Sequence, residues 1–273
     1  MFGRIQSMEG PAPPMPHFTV LTVNTHKGFT AFNRRFILHE LREAVRAVDA
    51  DIVFLQEVLG SHEDHARRHG GRWPDAPHYE FLADSMWPQF AYGRNAVYPQ
   101  GHHGNALLSK FPILRHENRD ASVGRRHEQR GLLHCVLDGK GTGTEVHAIC
   151  AHLGLREVHR RRQVQLLCEL IEREVPPEAP LIIAGDFNDW RGHGHRRLAA
   201  CAGLREVFAA TRGQLARTYP ARLPLLPLDR IYVRNLQVDR SLVLSMQPWS
   251  HLSDHAGLAA ELRLPVAAQE AAA

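Results

Sequence analysis

The 273-residue chain has no apolar run that reaches the roughly 18–20 residues needed for a membrane-spanning helix. Its first 16 residues are rich in Pro and Gly and lack the apolar core of a signal peptide. We therefore expect a cytoplasmic protein without a transmembrane segment, for which any membrane contact is peripheral.

Cysteine is scarce, with four residues and no CxxC pair, which argues against a zinc knot. Three of the four lie in apolar surroundings, so we expect reduced core thiols, as in cytoplasmic proteins. The four are Cys135, Cys150, Cys168 and Cys201.

Charge of either sign is also modest, because 33 Lys and Arg face 29 Asp and Glu for a net +4. This balance permits a phosphate-bearing partner but does not demand one. Histidine, in contrast, is abundant at 19 residues. An apolar fraction of 44% suits a globular chain, and nothing in the composition implies an obligate protein partner.

Residues 1–16 and 266–273 are predicted to be disordered tails around one domain at 17–265. Helical spacing appears at 36–48 and 157–174, and a shorter helix is plausible after Asp189. Strands without strict alternation with helices indicate an α+β layered fold. The predicted strands are 18–23, 51–56, 105–109, 131–137, 145–153, 181–185, 228–233, 238–244 and 255–264.

Polar side chains stand where six of these apolar strands begin or end. Each has an ordinary explanation: a turn, a helix cap, a solvated carboxylate or a hydrogen-bonded core histidine. As a set, they deliver carboxylates, amides and imidazoles to strand ends, which can converge on one site. The residues are Asn24, Glu57, His152, Asp186, Asn188, Asp229, Asp254 and His255, with Asn105 opening a further strand.

This combination suits hydrolysis of a phosphoester. Oxygen ligands favour Mg²⁺, with Mn²⁺ as the second candidate. A bound metal offsets phosphate charge, a carboxylate deprotonates water, and imidazole or amide groups stabilise the transition state.

The ordered motifs resemble the endonuclease/exonuclease/phosphatase superfamily, the group that includes deoxyribonuclease I, apurinic endonucleases, sphingomyelinases and inositol-polyphosphate 5-phosphatases. The wider text looks most like the bacterial YbhP-like branch. The resemblance runs from about Phe18 to Leu264 and implies a four-layered α/β/β/α sandwich with a metal-dependent site at one edge. The motifs are TVNTHKG, LQE, GNALLSK, AHLGL, AGDFND, LDRIYV and LSDH.

By this resemblance, the metal would be held mainly by Glu57, with Asn24 and Asp254 assisting. Asp186 would orient or deprotonate the attacking water, and Asn188 would hold the phosphate. The pattern leaves open whether Asp186 or His255 is the base.

Four further residues would act on the phosphate side. His255 would contact the phosphate, and Asp229 would fix its tautomer and charge. His152 would serve as the second imidazole, acting as acid to the leaving oxygen. Asn105 would complete the pocket.

Two positions depart from the apurinic endonucleases. His26 replaces an acidic residue that helps with metal, and His152 replaces a tyrosine. These differences make the site look closer to deoxyribonuclease I and sphingomyelinase, and weaken an assignment to abasic-site cleavage.

The substrate stays open between a phospholipid headgroup and a nucleic acid, both phosphodiesters. Candidate substrate contacts are His26, Arg94 and Arg156, whereas the arginines at 160–162 are expected to form a solvated helix face. Exposed apolar residues at 87–90 or 223–227 would favour a lipid, although buried loop packing explains them equally well. The alternatives are a phosphomonoesterase acting on a small metabolite and a non-catalytic phosphate-binding module.

Overall fold

Two six-stranded sheets pack face to face in the computed structural model, which describes residues 17–124, 127–139 and 144–264. Helices lie on the outer sides of the sheets, so the α+β class and the four-layered sandwich are both confirmed. The tails predicted at 1–16 and 266–273 lie outside the described residues.

The first sheet has the strand order β11-β12-β1-β2-β4-β3. β1 and β2 run parallel, and its other neighbouring strands are antiparallel. Its strands are β1 (His17–Asn24), β2 (Ile52–His62), β3 (Gln89–Tyr98), β4 (Gly101–Ser109), β11 (Gln237–Leu244) and β12 (Gly257–Arg263).

The second sheet has the order β5-β6-β7-β8-β10-β9, and β7 and β8 are its parallel pair. Each sheet thus holds one parallel pair near its centre, flanked by antiparallel strands. The strands are β5 (Ile113–Asp120), β6 (Gly131–Asp138), β7 (Glu145–His152), β8 (Leu181–Asp186), β9 (Arg205–Glu206) and β10 (Asp229–Arg234).

Six α-helices in the described part of the chain complete the layers. Leu38, Leu41 and Val45 recur at helical spacing and pack α1 on the outer face of the first sheet. Val164, Leu167 and Ile171 do the same for the long helix on the second sheet. The helices are α1 (Leu38–Val48), α2 (Glu63–His69), α3 (His78–Ala83), α4 (Glu157–Glu174), α5 (His193–Ala202) and α6 (Val207–Arg212).

Two expectations about individual side chains are wrong. Cys168 and Cys201 form a disulfide between α4 and α5, so only Cys135 and Cys150 are free, and the cysteine-based argument for a cytoplasmic location fails. Arg160 is buried rather than solvated, with its guanidinium 4.7 Å from the Trp190 ring centroid.

No helix in the described part of the chain is long and apolar enough to cross a membrane.

The two parallel pairs position the site. Parallel strands point their carboxyl ends towards the same edge of a sheet. His152 and Asp186, the last residues of β7 and β8, pair with each other, whereas Asn24 at the end of β1 pairs with Gln56 in the middle of β2. Asp229, the first residue of β10, lies opposite Asp186.

Candidate active site

Predicted residues from both sheets meet at the seam of the sandwich. The Asn24 amide at the end of β1 donates a 3.2 Å hydrogen bond to Asp186 Oδ2 at the end of β8. His152 Nε2 lies 3.6 Å from the same Asp186 oxygen. All three side chains are buried. Asp186 is therefore the point at which the two sheets are joined at this edge.

His255 lies between two carboxylates. Its Nδ1 is 2.8 Å from Asp229 Oδ2, and its Nε2 is 3.8 Å from Asp186 Oδ2. Burial alone would lower the pKa of His255, but the charges of Asp229 and Asp186 outweigh it and raise the pKa. For Asp186 burial acts in the opposite direction and raises the pKa, because it disfavours the charged carboxylate. The array consequently holds a proton in contact with a carboxylate, as general acid–base chemistry requires.

Neighbouring groups fix the orientation of this pair. The Asp229 N–H donates to Thr218 Oγ1 at 3.2 Å, and the His255 N–H donates to Ser253 Oγ at 3.2 Å. Ser253 Oγ in turn donates to the Asn24 carbonyl at 2.7 Å. The Tyr219 ring centroid lies 5.1 Å from that of His255 and covers one side of the imidazole.

The sequence left two interpretations of the Asp186–Asn188 turn, a helix cap and a group of the site, and the structure contains both. The Asn188 N–H donates to Asp186 Oδ1 at 2.9 Å, and its side-chain amide donates to the Leu153 carbonyl at 2.9 Å. Asp189, rather than Asp186, caps the following helix, because it accepts the N–H groups of His193 and His195. Helix capping and site chemistry are therefore divided between two aspartates.

Glu57 is displayed by a bulge in β2. The pairing with β4 shifts between Leu55 and Val58, and Glu57 has a φ of 56°. Bulges re-aim side chains, and a positive φ is unusual for glutamate. Its carboxylate oxygens lie 3.9 Å from His152 Nε2 and 4.0 Å from Lys27 Nζ. No hydrogen bond to this carboxylate forms within the described ranges, so its oxygens are available to a ligand.

His26 and Asp254 form a second pair beside Glu57. His26 Nδ1 lies 3.2 Å from Asp254 Oδ1, and the His26 N–H donates to Asn24 Oδ1 at 3.0 Å. Burial would lower the pKa of His26, but Asp254 and Glu57 raise it above its ordinary value. The histidine that replaces an acidic residue of the apurinic endonucleases is thus held by the predicted metal ligands.

The donor set fits a hard divalent cation better at Glu57 and Asp254 than at His255. Asp186, Asp229 and His255 do offer three atoms within 4.8 Å of one another. A protonated His255, however, repels a cation and already uses Nδ1 on Asp229. Glu57 supplies carboxylate oxygens that accept no hydrogen bond within the described ranges, and carboxylate oxygens are ligands that Mg²⁺ prefers.

An ion pair between Arg130 and Glu128 lies near His152, and neither residue stands out in the sequence. Burial lowers the pKa of His152 well below its usual value, and the nearby Arg130 acts in the same direction. Glu128 bridges His103 Nε2 at 2.7 Å and Arg130 Nη2 at 2.9 Å. A neutral His152 can donate one hydrogen bond and accept another.

Not all predicted substrate contacts join this group. Asn105 uses both amide hydrogens on the Gly131 and Cys150 carbonyls, and its buried Oδ1 has no partner among the described residues. Arg94 lies on β3 and Arg156 precedes α4, and neither makes a hydrogen bond or ion pair with the Asp186 cluster in the ranges described.

Several residues of the site carry no readable signal in the sequence. Thr218 and Arg130 lie in loops without a motif, and Glu128 is separated from His103 by a whole strand. Among these supporting residues, only Ser253 lies in a recognisable motif, Ser253-Asp254-His255, and there a serine has the ordinary interpretation of a turn residue.

A two-sheet sandwich with buried carboxylates and imidazoles at its seam is suited to hydrolysis of a phosphoester. The sequence pattern of the Endonuclease/Exonuclease/phosphatase family matches residues 21–255. The chain therefore belongs to this family of phosphoester hydrolases, whose members generally use divalent metal ions.

Similar proteins agree with this assignment. The chain is 57% identical over 247 residues to "Uncharacterized protein YbhP" of Escherichia coli (strain K12), covering 90% of this chain and 96% of that protein. The same figures hold for the protein of that name from Shigella flexneri.

Solved structures share the fold at low identity. An endonuclease/exonuclease/phosphatase from Beutenbergia cavernae has a TM-score of 0.71 at 19% identity, covering 92% of this chain and 73% of its own. The mannosyl-6-phosphatase Bt3783 of Bacteroides thetaiotaomicron has a TM-score of 0.69 at 18% identity, covering 90% and 99%.

Proposed function

We propose that the protein is a Mg²⁺-dependent phosphodiester hydrolase, with Mn²⁺ as an alternative ion. The observation that carries the proposal is the buried Asp229–His255–Asp186 array next to a Glu57 carboxylate that accepts no hydrogen bond from the residues described by the structure. A buried imidazolium beside a carboxylate supplies acid, base and positive charge within one site.

Glu57 is proposed as the main metal ligand, with Asn24 and Asp254 assisting. A cation bound there would offset the charge of the phosphate and make bound water more acidic. Lys27 and His26, which lie beside these carboxylates, partly balance their charge before the metal binds.

The remaining residues act on the water and the phosphate. Asp186 is held by Asn24 and the Asn188 N–H, so a lone pair of its carboxylate can orient a water or take its proton. His255, charged through Asp229, stabilises the negative charge that grows on phosphate oxygens. His152, which its lowered pKa keeps neutral, is proposed to donate a hydrogen bond to the leaving oxygen, because a neutral imidazole is too weak an acid to protonate it.

For Asn105 we propose a supporting role in place of phosphate binding. Its amide hydrogens already join β4 to β6 and β7 through two carbonyls. The oxygen that remains is an acceptor, which a phosphate oxygen would repel. Asn188 retains one amide hydrogen for the phosphate.

The test is hydrolysis of bis-p-nitrophenyl phosphate, plasmid DNA and phospholipid vesicles, with and without EDTA. We expect activity with Mg²⁺ that EDTA abolishes and that Asp186→Ala and His255→Ala each remove. Asp239→Ala and His116→Ala, which change exposed strand residues far from the seam, are the matched controls and should keep wild-type activity.

Each other result has a distinct meaning. Full activity in EDTA, or in Asp186→Ala, contradicts the proposed site. Hydrolysis of p-nitrophenyl phosphate but of no diester would make the protein a monoesterase. Binding of phosphate without turnover of any substrate would make it a non-catalytic module.

A further inference from the structure

A groove of about 970 Å³ opens next to the candidate active site, and the proposed chemistry does not use it. It lies between the loop after β1, the turn after Tyr219 and the loop before His255. Ile37, Pro220, Pro248 and Leu252 give it an apolar lining, and Asp254 is also among its lining residues. The groove therefore reaches one of the proposed metal ligands.

Large apolar side chains surround this groove. Phe32 is 84% exposed, Leu223 66%, Leu225 54% and Met246 80%, and we call these four residues the apolar rim. Phe32 lines the groove, Leu223 follows the groove residue Arg222, and Met246 precedes the groove residue Gln247. Grouped apolar exposure of this kind marks an interaction surface in a folded protein.

The backbone holds the most exposed member of the rim outward. Phe32 and Asn33 have φ angles of 62° and 54°, a region that bulky residues rarely occupy. The Arg34 guanidinium lies 5.5 Å from the Phe32 ring centroid. The ring and the cation are thus presented together at the tip of the loop.

Positive charge accompanies the rim. Arg34 and Arg222 line the groove and make no ion pair within the described part of the chain, whereas Arg35 is paired with Glu40 at 2.6 Å. Exposed apolar side chains with arginines next to them match a membrane surface, where acyl chains lie just below anionic phosphates. Three of the four rim residues are aliphatic and cannot stack on bases, which disfavours nucleic acid.

We propose that the apolar rim, with Arg34 and Arg222, binds the surface of a bilayer containing anionic phospholipid. The rim enters the headgroup region, and the groove leads a lipid phosphate towards Asp254. The lipid as substrate rests on the proposed function above, whereas the binding itself does not.

The test is co-sedimentation with vesicles of phosphatidylcholine, with and without phosphatidylglycerol, in EDTA so that no turnover occurs. We expect binding to the anionic vesicles that weakens with added salt. Phe32→Ser with Leu225→Ser should lower the partition coefficient by roughly ten-fold or more, because burial of each side chain is lost. Arg34→Glu should lower the partition coefficient by a similar factor, but only on the vesicles that contain phosphatidylglycerol.

Leu114→Ser, which changes an exposed leucine on β5 outside the groove, is the matched control and should bind like the wild type. Melting temperatures of all variants verify folding. The proposal is overturned if the wild-type protein does not bind anionic vesicles, or if the Phe32/Leu225 variant binds them as well as the wild type does. Binding of a single-stranded oligonucleotide that depends on Phe32, without vesicle binding, would also overturn it and identify nucleic acid instead.

The two proposals fail separately. Vesicle binding without hydrolysis of any phosphoester in Mg²⁺ would contradict the enzymatic function but leave the membrane surface standing. Hydrolysis of bis-p-nitrophenyl phosphate without vesicle binding would contradict only the membrane surface.

Discussion

At the scale of single residues, the chemistry depends on which carboxylates are paired. Asp229 is paired with His255, and Asp186 accepts hydrogen bonds from Asn24 and Asn188. Glu57 accepts no hydrogen bond from the described residues. A carboxylate fixed by donors positions a group, whereas one without donors can bind a cation. These three acids are therefore suited to three different roles.

Asp229→Asn tests the first of these roles. The substitution keeps the shape of a buried side chain but removes the charge that keeps His255 protonated. We expect kcat on bis-p-nitrophenyl phosphate to fall by roughly 10²–10⁴-fold. Asp239→Asn, which changes an aspartate paired with Arg263 on the first sheet, should have no effect. An Asp229→Asn enzyme with wild-type kcat would show that His255 does not need its partner.

The sequence reveals these residues unevenly, for a physical reason. Asp186, Asp229 and His255 stand next to strongly apolar strands, where a polar group is conspicuous because burying it requires a partner. Thr218 and Glu128 lie in polar loops, where such a residue is ordinary. Their contact with the site arises only when distant loops fold back over the strand ends.

At the scale of elements, all nine predicted strands and the two longer predicted helices are present. β5 was missed because its residues are largely exposed and charged, so it shows no apolar alternation. β3 has apolar residues at irregular intervals, since its register shifts against β4. Edge strands such as these carry little of the pattern from which strands are predicted.

The disulfide acts at this scale, because it links the helices that follow two strands of the site. α4 follows the loop after His152, and α5 follows the Asp186–Asn188 turn. The two cysteines are 33 residues apart, which corresponds to about 3–4 kcal/mol of stabilisation from restricting the unfolded chain.

Replacing both cysteines, Cys168→Ser with Cys201→Ser, should therefore lower the free energy of unfolding by up to that amount. Urea denaturation with and without dithiothreitol measures it. Reductant should shift the wild type towards the variant and leave the variant unchanged. A wild type that is insensitive to reductant, and as stable as the variant, would contradict a stabilising cross-link.

At the scale of the whole molecule, the surplus of histidine predicts acid lability. Several histidines are held neutral by burial, and the clearest is His78, whose pKa is lowered to about 3. Both of its ring nitrogens are buried and form no hydrogen bond with the residues that the structure describes, and its ring packs on Trp73 and Phe36. The unfolded chain binds a proton at His78 below about pH 6.5, and the folded chain does not.

His78 therefore lowers stability as the pH falls from about 6.5 towards 3, by about 1.4 kcal/mol per pH unit. We expect His78→Phe to flatten the dependence of unfolding free energy on pH by this amount between pH values of about 6 and 4. Urea denaturation across that range measures it. His116→Phe, at an exposed position on β5, should retain the wild-type slope, and equal slopes for all three proteins would refute the assignment.

The hydrogen bond from Asn24 to Asp186 has a consequence for the molecule as a whole. Because the groups of the site come from both sheets, their separation is set by how the sheets are docked rather than by one loop. A ligand that contacts both sheets adds its binding free energy to the work of separating them. Occupancy of the site and cohesion of the sandwich are thus thermodynamically linked, and a bound ligand makes the whole fold harder to unfold.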